Sequence, residues 1–428
     1  MISIENFKKL TFLVYGLGST GKSVIQFFNK LGIKKFQVWD DFNLNLYKKK
    51  RPLNLGKVLS EVDYIVISPG VSIHDPQNKK KLEKYKNKII TDLDIIFLLK
   101  KFFKSIVVTG TNGKSTTCKI LAHVLKKNNF NVLLGGNIGT PVLNLKFKNN
   151  CYAIIEASSF QLAYSKYIQP DYALLLNVSN DHLDWHGSMQ NYINSKFKIF
   201  NNQKKNQYSL INNKLKTIFK KKNFKGKLII PNLKNYQKKK NKIKNFYLKL
   251  KINDENVSSV FAITKLLKIK EKSLIQSLST FQGLPHRYEI FYRKKNCTFI
   301  NDSKATSFQA SKLALQNSKN IFWIVGGLPK KNDKINLKNL EKNIVKTYII
   351  GKNINFFKKQ IYKNTPYYVA KNLKKSLIQI LKDIKLMKRK KNTILFSPAS
   401  ASYDQYLNFE KRGEDFKRLC KLYARKYL

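Results

Sequence analysis

Two glycines, a lysine and a run of hydroxyls stand together at Gly110-Thr111-Asn112-Gly113-Lys114-Ser115-Thr116-Thr117. Glycines at this spacing let backbone N–H groups converge on an anion. Lys114 adds a point charge at the outer phosphates, and a Ser115 or Thr116 hydroxyl can ligate magnesium. The chemistry these residues suit is nucleotide triphosphate binding. Two further groups belong with them. Glu156 ends the apolar run Tyr152-Ala-Ile-Ile155, and His182 follows Tyr172-Ala-Leu-Leu-Leu176 in Asn180-Asp-His-Leu-Asp184. A hard cation bridging phosphate oxygens suits Ser115 and Glu156, and His182 less ideally.

The elements that must position these groups are legible around them. Ile106-Val-Val-Thr109 is a short apolar strand, and Ile120, Leu121, Val124 and Leu125 mark one face of a helix. The order is strand, phosphate loop, helix, with the helix N-terminus adding its positive dipole end. Strand C-terminal ends share one rim in parallel α/β sheets, so Lys114, Glu156 and His182 are expected to converge. Leu133-Leu-Gly-Gly-Asn137-Ile-Gly139 adds another strand-end loop, with one amide.

Upstream lies a second glycine loop. Leu10 to Gly18 reads as a buried strand entering Gly16-x-Gly18-Ser19-Thr20-Gly21, a dinucleotide fingerprint. Phe36-Gln-Val-Trp39 then ends in Asp40-Asp41, where that fingerprint places a ribose-binding acid. Tyr64-Ile-Val-Ile67 runs into Ser68-Pro-Gly-Val71. A Rossmann-like first domain of about ninety residues binding a nucleotide-bearing ligand is expected. A nicotinamide dehydrogenase is the competing reading, and a phosphate loop with magnesium ligands has no use in one. Gly18-Ser-Thr-Gly-Lys22-Ser23 shares its spacing with Gly110-Thr-Asn-Gly-Lys114-Ser115. Only the second loop is followed by Glu156 and His182, so only the second is assigned the triphosphate.

A chain of 428 residues exceeds a single core, and 43% hydrophobic residues suffice for packed domains. The 83 basic against 25 acidic residues give a net charge of +58. Lysine is spread along the whole chain with Asn, Ile, Phe and Tyr, which is compositional drift and not a nucleic-acid stripe; a nucleic-acid-stimulated ATPase remains the alternative that charge alone suggests. Cys118, Cys151, Cys297 and Cys420 lack metal or redox spacing and are expected as buried thiols in a reducing compartment. No secretory signal and no run of 18 apolar residues is found, so a cytoplasmic protein without a membrane partner is expected.

Residues 203–251 are rich in Lys and Asn and read as peripheral strands and loops, with strand candidates at Lys227-Leu-Ile-Ile230 and Asn245-Phe-Tyr-Leu248. Asn253 and Asn256 precede a helical run from Val257 to Leu267, and Phe281 to Arg287 is a turn-rich boundary. The α/β theme then returns in Phe299-Ile-Asn-Asp302, Ile321 to Gly327, Thr347 to Gly351 and Thr393 to Phe396. The last strand enters Ser397-Pro-Ala-Ser-Ala-Ser402, a hydroxyl-rich loop suited to a carboxylate.

Taken in order, Gly110-Thr-Asn-Gly-Lys-Ser-Thr, Glu156-Ala-Ser-Ser-Phe-Gln, Asn180-Asp-His-Leu-Asp, Gly283-Leu-Pro-His-Arg287 and Asn301-Asp-Ser-Lys-Ala-Thr306 resemble the ATP-dependent Mur ligases of peptidoglycan synthesis. The tail Ser397 to Tyr406, with Phe409 and Arg412-Gly413, is similar to the D-glutamate-adding branch, and no Asp-Asn-Pro-Arg of the diaminopimelate- or lysine-adding branch occurs. The resemblance implies three α/β domains: a Rossmann-like N-terminal domain (1–92), a central phosphate-loop ATPase domain (93–284) and a Rossmann-like C-terminal domain (285–428). It implies ATP and magnesium as cofactors, a UDP-N-acetylmuramoyl-L-alanine substrate, D-glutamate and a monomeric enzyme. Gly110 to Thr116, Asn253, Asn256, Arg287 and Asp302 would hold the nucleotide, and Ser115, Glu156 and His182 the metal. Lys196 sits where the family has a carbamylated lysine near the metals, and with Lys114, Glu156 and His182 it would be catalytic. Gly18, Ser19, Thr20, Asp40, Asp41, Ser68 and Asn137 would meet the UDP substrate. Lys304, Thr306, Lys330, Ser402 and Phe409 would form the D-glutamate pocket. Ile252 and Ser307 depart from the family's His and Asn.

Overall fold

The computed structural model describes residues 2–43, 47–99, 102–330, 333–361, 363–387 and 390–428. Its strands assemble into three sheets. The first joins β1 (Phe12–Tyr15), β2 (Phe36–Trp39), β3 (Tyr64–Ile67) and β4 (Ile89–Ile90) in the order β2-β1-β3-β4, all parallel. β5 (Phe103–Thr109), β6 (Val132–Gly136), β7 (Cys151–Glu156), β8 (Tyr172–Leu175), β9 (Tyr208–Ile211) and β10 (Lys227–Ile229) form the second, ordered β10-β9-β8-β5-β7-β6 and again parallel. The third contains β11 (Glu289–Lys294), β12 (Cys297–Asn301), β13 (Ile321–Gly326), β14 (Ile344–Ile350), β15 (Tyr367–Lys371) and β16 (Asn392–Phe396). Its order is β11-β12-β16-β13-β14-β15, with only β11 antiparallel.

The chain divides into two compact units, one formed by Met1–Lys249 with Asn253–Phe281 and the other by Leu250–Ile252 with Gln282–Leu428. The first two sheets lie in the first unit and the third sheet in the second.

Parallel strands covered on both faces are continuous apolar runs. Ile106, Val107 and Val108 of β5 and Ile154 and Ile155 of β7 are fully buried, as are Phe322, Trp323 and Ile324 of β13. Each such side chain contributes roughly 1.5–3 kcal/mol relative to exposure. Thr109 and Glu156 close β5 and β7, so their polar groups stand where the loops begin.

The four cysteines are free and buried. Two expectations are corrected. Asn245 to Leu248 is not a strand: the backbone makes a helical turn, Phe246–Lys249, with Asn245 Oδ1 accepting from the Leu248 N–H at 3.0 Å. A short aromatic run fits either state by pattern, and the side-chain cap decides it. Residues 203–251 are also less peripheral than their composition suggests. β9 and β10 extend the second sheet, and Tyr236, Ile243 and Leu248 are buried beneath lysine-bearing helical turns.

Candidate active site

β5 ends at Thr109 and the phosphate-loop helix, Lys114–Lys127, starts four residues beyond Gly110. The turn needs glycine twice, with φ of +151° at Gly110 and +85° at Gly113. At Gly113 a Cβ would also lie 2.1 Å from Asn256 Oδ1, so Asn256 is seated directly against the loop. Asn256 Nδ2 in turn donates to Asn253 Oδ1 at 3.2 Å. The two asparagines expected at the nucleotide therefore stand beside the residues expected at its phosphates.

Lys114 Nζ donates to the carbonyls of Gly110 (2.8 Å) and Thr111 (2.9 Å). Lys196 is 1% exposed, and its Nζ donates to the same Gly110 oxygen at 2.9 Å. Burial, and then the Lys114 charge, push the Lys196 amine well below the ordinary lysine range, with Asp181 opposing. The loop is laced to the end of β8 by Thr111 N–H to Asn177 O and Asn112 N–H to Asn177 Oδ1, both 2.9 Å. Thr111 Oγ1 also lies 3.0 Å from the Tyr192 hydroxyl, which shares a helix (Met189–Phe197) with Lys196.

Register brings Glu156 to this loop. It pairs with Val108 of β5 on one side and Gly136 of β6 on the other. Asn137 follows β6, and its Nδ2 donates to Glu156 Oε1 at 3.2 Å. Glu156 is 3% exposed, and its Oε2 has no hydrogen-bond partner; nor have the buried hydroxyls of Thr109, Thr116 and Ser179. A buried carboxylate oxygen and hydroxyls left over at one rim fit a hard, oxygen-seeking cation such as magnesium. Among the described residues no group of three or more His, Cys, Asp or Glu is arranged to hold a metal ion by itself, so a metal here would draw other ligands from hydroxyls and nucleotide oxygens.

His182 opens the turn after β8 with φ of +54°. Its ring is half-exposed, 3.3 Å from an Asp181 oxygen, and packs edge-on against Phe160.

Supporting contacts escaped the sequence reading. Gln161 donates through Nε2 to both Asp92 oxygens (3.0 and 3.1 Å) and accepts from Ser158 N–H and Oγ, closing a capping box just after Glu156. Burial raises the Asp92 carboxyl to about 6, with the Gln161 bonds opposing. His186 Nε2 lies 3.0 Å from Ser159 Oγ, and burial and the Lys196 charge lower it to about 4. The serines and Gln161 around Glu156 were visible as a motif, but their partners are distant in sequence.

The first glycine loop is clamped from both neighbouring strands. Ser68 Oγ donates to Gly16 O at 2.6 Å, and Asp40 Oδ2 accepts from the Leu17 N–H at 2.6 Å. Asp40 Oδ1 takes Phe42 N–H and two donors of Asn43. Asp41 receives Trp39 Nε1, Lys81 Nζ and the Tyr15 hydroxyl. Gly18 is the N-cap of the helix Ser19–Leu31, on which Ser19 and Thr20 stand first. That cap makes no side-chain hydrogen bond, so the first N–H groups have no hydroxyl or carboxylate of their own cap residue.

In the second unit the residues expected at the amino acid lie on the loops after β12, β13 and β16, with Phe409 opening the last helix. Lys304 Nζ sits 5.0 Å from the centre of the Phe409 ring. The Leu328–Ala401 bridge lays the Lys330 loop beside the Ser402 loop. Thr306 lies two residues beyond Lys304 and is half-buried. Buried Arg412 fastens these loops, donating to Ser303 Oγ, Ser303 O, Ser400 O and Ala401 O at 2.9–3.1 Å. Asp302 is buried and raised to about 6 by desolvation, while Ser397 Oγ and the Tyr288 N–H bond to it. Arg287 keeps a buried Nε with no hydrogen-bond partner.

A parallel sheet whose strand-end phosphate loop stands beside a buried glutamate defines a nucleoside-triphosphate-binding α/β protein. Residues 108–282 match the profile of the Mur ligase middle domain, and residues 10–90 that of the MurD-like N-terminal domain of Mur ligases. The UDP-N-acetylmuramoylalanine–D-glutamate ligase of Rickettsia felis is 33% identical over 95% of this chain and 96% of its own. The Buchnera aphidicola ligase of the same name is 35% identical over 96% and 97%. Among solved structures, MurF of Thermotoga maritima in complex with ADP is similar with a TM-score of 0.57 and 15% identity, covering 98% of this chain and 99% of that one. MurC of the same organism has a TM-score of 0.55 and 16% identity over 96% and 99%. This chain belongs to the Mur ligase family.

Proposed function

We propose that this enzyme joins D-glutamate to UDP-N-acetylmuramoyl-L-alanine at the expense of ATP. The observation that carries this reading is the phosphate loop standing beside Glu156 in a chain alike, from end to end, to relatives named for that ligation.

A carboxylate is a poor electrophile, so the L-alanyl carboxylate oxygen first attacks the γ-phosphorus of ATP. An acyl phosphate forms and ADP leaves. The D-glutamate amine then attacks the acyl carbon, the tetrahedral adduct expels phosphate, and the amine's proton is lost to give the amide. Such catalysis is mostly positioning and charge neutralisation. Gly110 to Thr116, with Asn253 and Asn256, would bind ATP, and Lys114 would meet the charge on the transferred phosphoryl group. Glu156, with Ser115 or Thr116 and His182, would hold magnesium, which when bound neutralises phosphate charge. The depressed Lys196 amine suits carbamylation: its neutral nitrogen adds carbon dioxide, releases a proton and becomes an anionic oxygen donor.

Residues 1–92, 93–284 and 285–428 would serve as the UDP-substrate, ATP and amino-acid domains. Gly18, Ser19, Thr20 and Asn137 would meet the UDP-sugar, with Asp40, Asp41 and Ser68 shaping that loop from behind. Arg287 and Asp302 are proposed as further nucleotide contacts, and Lys304, Thr306, Lys330, Ser402 and Phe409 would select D-glutamate. The enzyme is proposed to act as a cytoplasmic monomer without a nucleic-acid or membrane partner.

Substrate labelled with ¹⁸O in the L-alanyl carboxylate tests the route. One label should appear in the released phosphate. Unlabelled phosphate accompanying amide formation would contradict it.

A further inference from the structure

A second cleft, of about 510 Å³, lies in the first unit away from the phosphate loop. That volume is within the roughly 300–1,000 Å³ of small-molecule sites. Ile73, Ile89, Tyr164 and Trp185 supply apolar lining, while Lys79, Lys86, Lys166 and Lys198 supply cations against a single acid, Glu83. Lysine is common throughout this chain, so number alone decides nothing; the arrangement does.

Glu83 already pairs with Lys79 and Lys86. The remaining two ammoniums turn to backbone carbonyls: Lys166 Nζ donates to Lys86 O and Asn87 O, and Lys198 Nζ to Ala163 O. Neither hydrogen-bonds to a carboxylate among the described residues. Asp94 is the acid acting on both, but its oxygens are taken by the N–H groups of Lys166, Tyr167 and Thr91. Both lysines are half-buried in the wall of the cleft. Like charges lining one cleft and partly removed from water are costly without a counter-charge. A multivalent anion supplies that counter-charge.

We propose that this cleft binds a small phosphate-bearing anion through Lys166 and Lys198, outside the catalytic site. One wall is the helix Met189–Phe197 with the residue that follows it: Asn191, Asn194, Ser195 and Lys198 line the cleft. From the same helix Tyr192 and Lys196 reach the phosphate loop. An occupant is therefore one helix away from the loop and touches neither Lys114 nor Glu156.

The test uses the full chain saturated with ADP and UDP-N-acetylmuramoyl-L-alanine, so that the known classes of phosphate site are filled. Calorimetric titration with inorganic diphosphate should reveal one further site. Affinity should fall about tenfold or more in Lys166→Met and in Lys198→Met, each removing a charge-assisted hydrogen bond, and stay unchanged in the surface variant Lys421→Met. Two variants guard against misfolding of either one, and retained ligase activity marks a folded protein. Crystals soaked in tungstate should show an anomalous peak within hydrogen-bond distance of both ammoniums. Equal affinity in folded variants, or tungstate bound elsewhere with none in the cleft, would overturn the proposal.

Discussion

Lys114 and Lys196 donate to the same acceptor, the carbonyl oxygen of Gly110, at 2.8 and 2.9 Å. Two lysines thus meet at one phosphate loop, and different tasks are proposed for them. Lys114, first in its helix, is proposed to meet the transferred phosphoryl group. Lys196 is the buried partner whose amine is driven toward neutrality.

Lys114→Ala should lower both kcat and kcat/KM by about two orders of magnitude, as when one transition-state donor is lost. Lys22→Ala, in the loop of identical spacing, should raise KM for the UDP substrate by about tenfold or less and leave kcat near normal. Steady-state kinetics with each substrate varied checks both. Loss of turnover at saturation in Lys22→Ala, with Lys114→Ala unaffected, would exchange the roles of the loops.

Lys196 carries a prediction about carbon dioxide. Only the neutral amine adds it, and a lowered pKa enlarges that fraction near neutrality. Protein held in carbonate-free buffer should lose activity and regain it with bicarbonate, more slowly as pH falls. A carbamate carbon signal should appear by NMR with ¹³C-bicarbonate and vanish in Lys196→Ala. Full activity of that variant would return Lys196 to a packing role.

Asp92 offers a test through stability. Its carboxyl is raised from an unfolded value of about 3.9 to about 6. An acid shifted upward contributes its full stability below the unfolded pKa and loses it as pH rises through the folded one. The ionised form thus costs up to about 3 kcal/mol at neutral pH. The melting temperature of Asp92→Asn, relative to the parent, should move in the variant's favour from pH 4 to pH 7. A difference independent of pH would show that the Gln161 bonds fully compensate the burial.

What the sequence disclosed was mostly local. A strand, a glycine turn and Lys114 are contiguous, so their loop was legible, and β1, β2 and β3 stood out as apolar runs closed by glycine or acid. Glu156 was legible as a carboxylate ending an apolar run, because interior strands of parallel sheets carry few charges. Less was visible where partners are far apart: Asp92 with Gln161, Tyr192 with Thr111, and Arg412 with the loops around Ser303 and Ser400. The antiparallel strand β11, partly exposed along its length, lacks the apolar run that marked its neighbours. Asn245 to Leu248 was misread as a strand because its apolar run is too short to show a period.

The central claim is D-glutamate ligation, and amino-acid-dependent phosphate release measures it most directly. With ATP, magnesium and UDP-N-acetylmuramoyl-L-alanine, the enzyme should release phosphate in step with product when D-glutamate is added. L-lysine, diaminopimelate and nucleic acid should each leave release at background. Equal turnover with L-lysine or diaminopimelate, or release stimulated by DNA or RNA without D-glutamate, would contradict the account.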